Sequence, residues 1–319
     1  MTSPLAALDG PALEAARLAL VREHGEWTAH NLRLRDQVYT FRADHPRFDR
    51  QLQRHALHLR RILQIVADGS RKPLSELRVL DLACLEGLYG IELGMHGAEV
   101  VGIEGRRASV EKARFAAGAL GLERVRIEED DVRNFSVAKY GEFDVILCLG
   151  ILYHLDTTAV LQLVEHMAAA CRGLTIIDTH VGLRSDHVTW HHGRRYEGWI
   201  YREHAPESSP ADRLKRMWAS LDNDTSFWIT KASLCNLLSD VGFTTVGSVS
   251  MPMIAPGSHS DRETFVAHRG QRISLLSAPT TNTLADQRHP EVSDGRPHPS
   301  QDTKQERALR AASWLMREL

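Results

Sequence analysis

Short apolar runs and longer amphipathic stretches alternate through the middle of the chain. Val79-Leu80-Asp81-Leu82, Val100-Val101-Gly102-Ile103, Val125-Arg126-Ile127, Phe143 to Cys148 and Leu174-Thr175-Ile176-Ile177 each read as a buried strand running into a polar turn. Such alternation predicts an α/β fold around a mostly parallel sheet. Upstream, Pro11 follows Asp9-Gly10, and Leu13, Ala16, Leu20 and Val21 repeat at helical spacing as far as Gly25. This is a packing helix, expected over one edge of the cleft. A second helical stripe, Phe48, Leu52, Leu59, Ile62, Leu63 and Val66, ends at Gly69 and is core. After Leu234, Leu237, Leu238 and Val241, residues Phe243 to Met251 and Thr264 to His268 read as two closing antiparallel strands.

Two stretches break the alternation. About fifty residues separate His180 from the helix near Lys231, where a minimal domain needs only a short loop. This insertion, 181–229, contains DHVTWHHGRRYEGWIYREH, whose aromatics offer flat apolar contact and whose arginines suit a carboxylate or phosphate. It reads as a cap over a polar acceptor. Trp190, His191, Arg194, Arg195 and Tyr196 are its candidate contacts. From Gly270 to Lys304, Ser, Thr, Pro, Asp and Gln dominate, and no core can form from them. The expected organisation is a helix and lid over 1–46, a main domain over 47–270, a flexible linker over 271–304 and a terminal helix over 305–319.

The turn after the first strand narrows the chemistry. A dinucleotide site would place closely spaced glycines there to admit a pyrophosphate, but Ala83, Cys84, Leu85 and Glu86 precede Gly87. Asp81 and Glu86 make a poor phosphate cradle and suit a ligand with an amino group and a sulfonium, as adenosylmethionine has. Glu104, followed by Gly105, lies about 20 residues on, at the end of the second strand, where an acid accepts hydrogen bonds from ribose hydroxyls.

With these strand ends the chain resembles the class I adenosylmethionine-dependent methyltransferases, well over Leu77 to Asp178 and more loosely to His268. The resemblance implies a Rossmann-like sheet in the order 3-2-1-4-5-7-6. It implies that Asp131 meets the adenine amino group, Val132 supplies a backbone amide and Leu149 packs on the adenosine. Ala83 departs from the glycine usual in that family. The segment GILYHL is similar to one in tRNA wobble-uridine carboxymethyltransferases and in bacterial sugar and small-molecule O-methyltransferases. That likeness puts Tyr153 at the cofactor's reactive end and His154 toward the acceptor.

Asp178 and His180, ending the fifth strand, are expected to converge there with His154. His154 or His192 would serve as general base, since a neutral imidazole takes a hydroxyl proton near neutral pH. Trp27, His30 and Asn31 are expected to wall the site from an N-terminal lid. His154, Asp178, His180, His191 and His192 raise the question of a shared ion, but their spacing matches no structural zinc pattern. Magnesium, a further candidate cofactor, would require carboxylates.

Composition excludes several classes. A formal net charge of −2 provides no general attraction to nucleic acid. From Val181 to Arg216, Arg184, Arg194, Arg195, Arg202, Arg213, Lys215 and Arg216 face Asp186, Glu197, Glu203, Glu207 and Asp212, a small excess for binding a phosphate backbone. Wobble-uridine modification is therefore second to methylation of a hydroxyl on a small polar metabolite, with a sugar or glycosylated natural product leading. No apolar run approaches the ~20 residues of a membrane helix, and MTSPLAALDGP has no basic stretch followed by an apolar one. A cytoplasmic protein is expected, with Cys84, Cys148, Cys171 and Cys235 reduced. The cap and the terminal helix are candidate surfaces for a homo-oligomer.

Overall fold

The computed structural model describes residues 3–253 and 261–291. Helices α1 (Gly10–His24) and α2 (Phe48–Gly69) precede the sheet. Then follow β1 (Arg78–Leu82), α3 (Leu88–Met95), β2 (Glu99–Glu104), α4 (Arg107–Ala119), β3 (Val125–Glu129), α5 (Val137–Tyr140), β4 (Phe143–Leu149), α6 (Thr157–Ala170) and β5 (Cys171–His180). The insertion contributes β6 (His187–His191), β7 (Arg194–Arg202), α7 (Pro210–Lys215) and β8 (Thr225–Ile229). The domain closes with α8 (Lys231–Asp240), β9 (Thr245–Ser248) and β10 (Arg262–His268).

The main sheet has the order β3-β2-β1-β4-β5-β10-β9. This is the order the family resemblance implies, because β10 and β9 take the places of the seventh and sixth strands once the insertion's strands are set aside. β1 to β5 are parallel, and β10 runs antiparallel to both neighbours. Val79, Leu80, Ile103, Ile146, Leu147 and Ile177 are fully buried, which is why these strands read as continuous apolar runs. All parallel strands end on one side, and the chain switches direction between β1 and β4. A ligand crevice forms at such a switch point.

The insertion is a separate three-stranded antiparallel sheet, β6-β7-β8. It buries Tyr196, Trp199, Phe227 and Trp228 against the main domain, and the Phe227 amide donates to the Leu155 carbonyl at 2.8 Å. The insertion therefore supports the loop between β4 and α6 from beneath. Helix α1 packs on α4, and Leu13, Trp27 and Phe115 form their shared core. The stripe on α2 is buried at Ile62, Ile65 and Val66, whereas Leu52 is exposed. Beyond β10 the chain returns across α8: His289 and Asn236 exchange two hydrogen bonds, and Glu291 accepts from Thr230 and Ser233. That part of the expected linker is anchored. The expected terminal helix, 305–319, lies outside the described residues.

Candidate active site

A cavity of about 520 Å³ opens at the carboxyl ends of β1, β2 and β4, within the range usual for small-molecule sites. Its walls come from the strand ends, the segment at Ala29-His30, the start of α2, and a loop of the insertion at 217–223. Asp81, Ala83, Cys84, Glu104, Gly105, Asp131, Val132, Leu149, Tyr153 and His154 all line it.

The turn after β1 keeps the backbone of a glycine loop without the glycines. Ala83 and Leu85 both sit at φ +52°, and Gly87 at +84°. Left-handed backbone costs a residue with a Cβ about 1–2 kcal/mol, so this turn holds strain at the cavity floor. Two acids fix it. Glu104 accepts from the Leu85 amide at 2.9 Å and the Arg106 amide at 2.7 Å, and Asp81 accepts from the Gly90 amide at 3.1 Å. Burial raises the Asp81 carboxyl to about 7; the Gly90 hydrogen bond opposes the shift and the nearby Glu104 adds to it. Burial likewise raises Glu104 against its two amide donors. Two buried carboxyls whose negative charge is only partly compensated are suited to a ligand bearing positive charge and hydroxyl donors.

Asp131 forms the opposite side. Burial alone would raise its carboxyl, but Arg133, which reaches both oxygens at about 3.0 Å, holds it below the ordinary range. Arg133 also binds Asp222 at 2.6 Å, tying the insertion's loop to the rim. Arg106 donates to the carbonyls of Arg216 and Ala219, and Leu221 lies over Gly105 so closely that a Cβ there would meet it at 2.7 Å.

At the other end, Tyr153 and His154 stand on a short turn after β4. The His154 ring nitrogen Nδ1 lies 2.9 Å from Oε1 of Glu203, a buried carboxylate at the end of β7. Glu203 also accepts from the Ser220 amide at 3.1 Å, and Asn223 donates to the His154 carbonyl at 3.0 Å. A carboxylate at Nδ1 makes that nitrogen the donor and leaves Nε2 as the proton acceptor. Tyr153 packs edge-on against His180 and Trp228. Arg262 sits 5.7 Å above the Tyr153 ring and donates to Asp178 at 2.6 Å. Burial disfavours the guanidinium's charge, but Tyr153 and Asp178 more than offset this and keep it protonated.

Several expected site residues lie elsewhere. Glu86 does not line the cavity. It is fully buried, accepts from the amides of Thr28, Ala29 and His30 at 2.8–3.0 Å, and faces the buried Lys112 at 3.7 Å. It is the anchor of the N-terminal segment. Gly87 caps α3 and packs on Ile91 and Ala113. Trp27 is core, edge-on to Phe115 at 6.0 Å, and Asn31 bonds to Phe41 and Phe48. Asp178 is enclosed by Arg262 and Thr264, and His180 stacks on Trp228 at 4.8 Å; both brace the cavity wall without lining it.

The hairpin β6–β7 also points away. Trp190 is exposed, Arg194 and Tyr196 bond to Asp240, Arg195 pairs with Glu197, and His191 and His192 meet Glu165. None of these lines the cavity, because the insertion presents its 217–223 loop there instead, with Glu203 held against His154. His192 is thereby removed as a candidate base. The histidines considered together as ion ligands separate into two groups.

His30 does line the cavity. Burial pushes its imidazole down to about 3, and its Nδ1 accepts from the Leu88 amide at 3.3 Å, so it is a neutral donor through Nε2. Residues not anticipated are Arg47 just before α2, Arg50, His55 and His58 on α2, Tyr89, Arg262, and Trp218 to Asn223. On α2 the signal was present as a polar face with a repeat of three to four residues.

The strand order and the acids at strand ends define a class I adenosylmethionine-dependent methyltransferase fold. Residues 79–173 match the family model described as a methyltransferase domain. Over 112 residues, 35% of this chain and 44% of that protein, the sequence is 31% identical to a ubiquinone biosynthesis O-methyltransferase of Ruegeria pomeroyi. Over 60 residues, 19% of this chain and 14% of that protein, it is 43% identical to the 23S rRNA (uracil(1939)-C(5))-methyltransferase RlmD of Shewanella halifaxensis. The chain thus matches less than half the length of these curated relatives. The N-terminal domain of EvdMO1, solved with SAH bound, superposes with a TM-score of 0.61 at 21% identity, covering 82% of this chain and 98% of that one. The cofactor of this class is adenosylmethionine. The acids and the amide of Val132 lining the cavity are a donor and acceptor set that fits it. No helix among the described residues is long and apolar enough to cross a membrane.

Proposed function

We propose that the protein transfers a methyl group from adenosylmethionine to a hydroxyl of a small polar acceptor of the sugar class, one that carries negative charge. The observation that carries this reading is the His154–Glu203 pair, whose histidine lines the cavity. When bound, the cofactor supplies an electrophilic methyl on its sulfonium. Asp81, Glu104, Asp131 and Leu149 would hold it, with Tyr153 at its reactive end. His154 Nε2 takes the acceptor's hydroxyl proton, and Glu203 holds the ring in the right tautomer and compensates the imidazolium that forms. Alignment provides much of the rate. Arg47, just before α2, and Arg50 on α2 line the cavity with His55, His58 and Arg262, and the arginines suit a carboxylate or phosphate on the acceptor. The EvdMO1 domain has also been crystallised in the presence of SAH and D-fucose, which agrees with a sugar acceptor.

The test is transfer from labelled adenosylmethionine to matched sugars with and without a phosphate or carboxylate. Methylation of the anionic member, lost in His154→Ala while cofactor binding persists, supports the reading. Equal transfer by His154→Ala overturns the role of the base, and preference for the neutral member overturns the charged acceptor. Arg262 gives a second reading some support, since carboxymethyl transfer in wobble-uridine modification needs a cation beside the transferred carboxylate. Preference for a carboxylated donor over adenosylmethionine would favour it.

A further inference from the structure

The tip of the hairpin β6–β7 holds a histidine cluster apart from the cavity. His191 pairs with Arg194 across the hairpin, so His192 and Gly193 form the whole turn. Both have left-handed backbone, at φ +48° and +74°. A two-residue turn of this kind ordinarily begins with Asn, Asp or Gly. Histidine in its place is a strained choice.

The consequence of that conformation is geometric. Consecutive side chains on a strand point to opposite faces, but the turn at His192 brings its ring to 4.2 Å from the His191 ring, centroid to centroid. Both Nε2 atoms then converge on one carboxylate oxygen of Glu165 in α6, at 2.9 Å from His191 and 2.8 Å from His192. The potential ligand atoms of the three residues all lie within 4.8 Å of one another.

Hydrogen bonding alone serves this cluster poorly. His191 Nε2 is closed to water, yet it makes no hydrogen bond of acceptable geometry despite the short contact to Glu165. A cation engages all three groups together. Bonds of about 2.0–2.2 Å to imidazole nitrogen and carboxylate oxygen place ligand atoms roughly 3 Å apart, close to the spacing of each histidine from Glu165. Two imidazoles and one carboxylate suit zinc and its first-row neighbours and do not suit calcium or magnesium. His192 is 75% exposed, so an ion has a direct path from solvent and water can complete its shell.

We propose that Glu165, His191 and His192 form a site for a divalent transition metal of the zinc type, which clasps the cap hairpin to α6. The clasp joins the two elements that hold the proposed base. Helix α6 follows the turn bearing His154, and β7 ends at the residue before Glu203. The site lies outside the methyl-transfer cavity and stands whether or not that activity is found.

The experiment is calorimetric titration of the metal-stripped full chain with zinc chloride, with thermal melts in parallel. One zinc ion binds per chain and raises the Tm. His192→Ala and Glu165→Gln each weaken binding at least tenfold and abolish the rise, whereas His96→Ala, a half-exposed histidine elsewhere, alters neither. Metal-free melts of the variants establish that they are folded. His192 is solvent-exposed and makes no core contact, so its variant keeps the test decisive if Glu165→Gln unfolds. Absence of binding by the wild type up to millimolar zinc, or binding that survives His192→Ala undiminished, overturns the proposal.

Discussion

Asp81 is placed to bind a cation, and without one it should cost the protein stability. Its carboxyl is 2% exposed and raised from 3.8 to about 7 by burial, with Glu104 adding to the effect. A carboxyl raised on folding contributes most below its unfolded pKa, and that contribution is lost as pH rises through the folded one. The loss therefore develops between about pH 4 and pH 7. At 1.36 kcal/mol per pH unit it reaches about 4 kcal/mol above pH 7, as an upper bound. Asp81→Asn keeps an oxygen for the Gly90 amide and removes the charge. The ligand-free variant should match the wild type near pH 4 and exceed it increasingly to pH 7. The gap then stays constant, worth several degrees of Tm at a few degrees per kcal/mol. Denaturant melts of both proteins across pH 4–9 measure this difference, and titrations not coupled to Asp81 cancel in it. Adenosylmethionine should close the gap by stabilising only the wild type. Parallel pH profiles for the two proteins would refute the reasoning.

Further outcomes are expected at residues with separate roles. Glu86→Ala leaves the amides of Thr28, Ala29 and His30 without their acceptor and the buried Lys112 without its counter-charge, and should cost about 3–5 kcal/mol, with early proteolytic cleavage before α2. His154→Ala should lower single-turnover methyl transfer by about 10²–10⁴ with little change in cofactor affinity. Glu203→Gln should also slow transfer, and it should shift the pH–rate profile because the imidazolium loses its compensating charge; an unchanged profile would count against the pairing. Ala83→Gly, at φ +52°, should be neutral or stabilising by up to about 1 kcal/mol in thermal melts, unlike the usual penalty for glycine.

The parallel sheet and its strand-end acids were legible because each depends on contiguous residues: an apolar run, then a polar turn. Asp81, Glu104 and Asp131 all occupy such ends. The role of Glu86 is not legible locally because what decides it is distant, the Thr28 to His30 amides lying 56 to 58 residues away. Glu203 is illegible for the same reason, its histidine being 49 residues distant. In the insertion, aromatic content suggests a lid, whereas the run from Tyr196 to Trp199 is the middle of a strand buried on both faces. His192-Gly193 was the turn signal that would have set the hairpin. On α2 the apolar stripe is the stronger sequence signal, and the polar face with Arg50, His55 and His58 that meets the cavity has no marker of its own role.

Calorimetric titration with adenosylmethionine and adenosylhomocysteine, on the wild type and on Glu104→Ala and Asp131→Ala, tests the central claim most directly. One site per chain for both ligands, weakened at least tenfold by Glu104→Ala and measurably by Asp131→Ala, is the predicted result. No binding by the folded wild type, or binding that neither substitution changes, would contradict it.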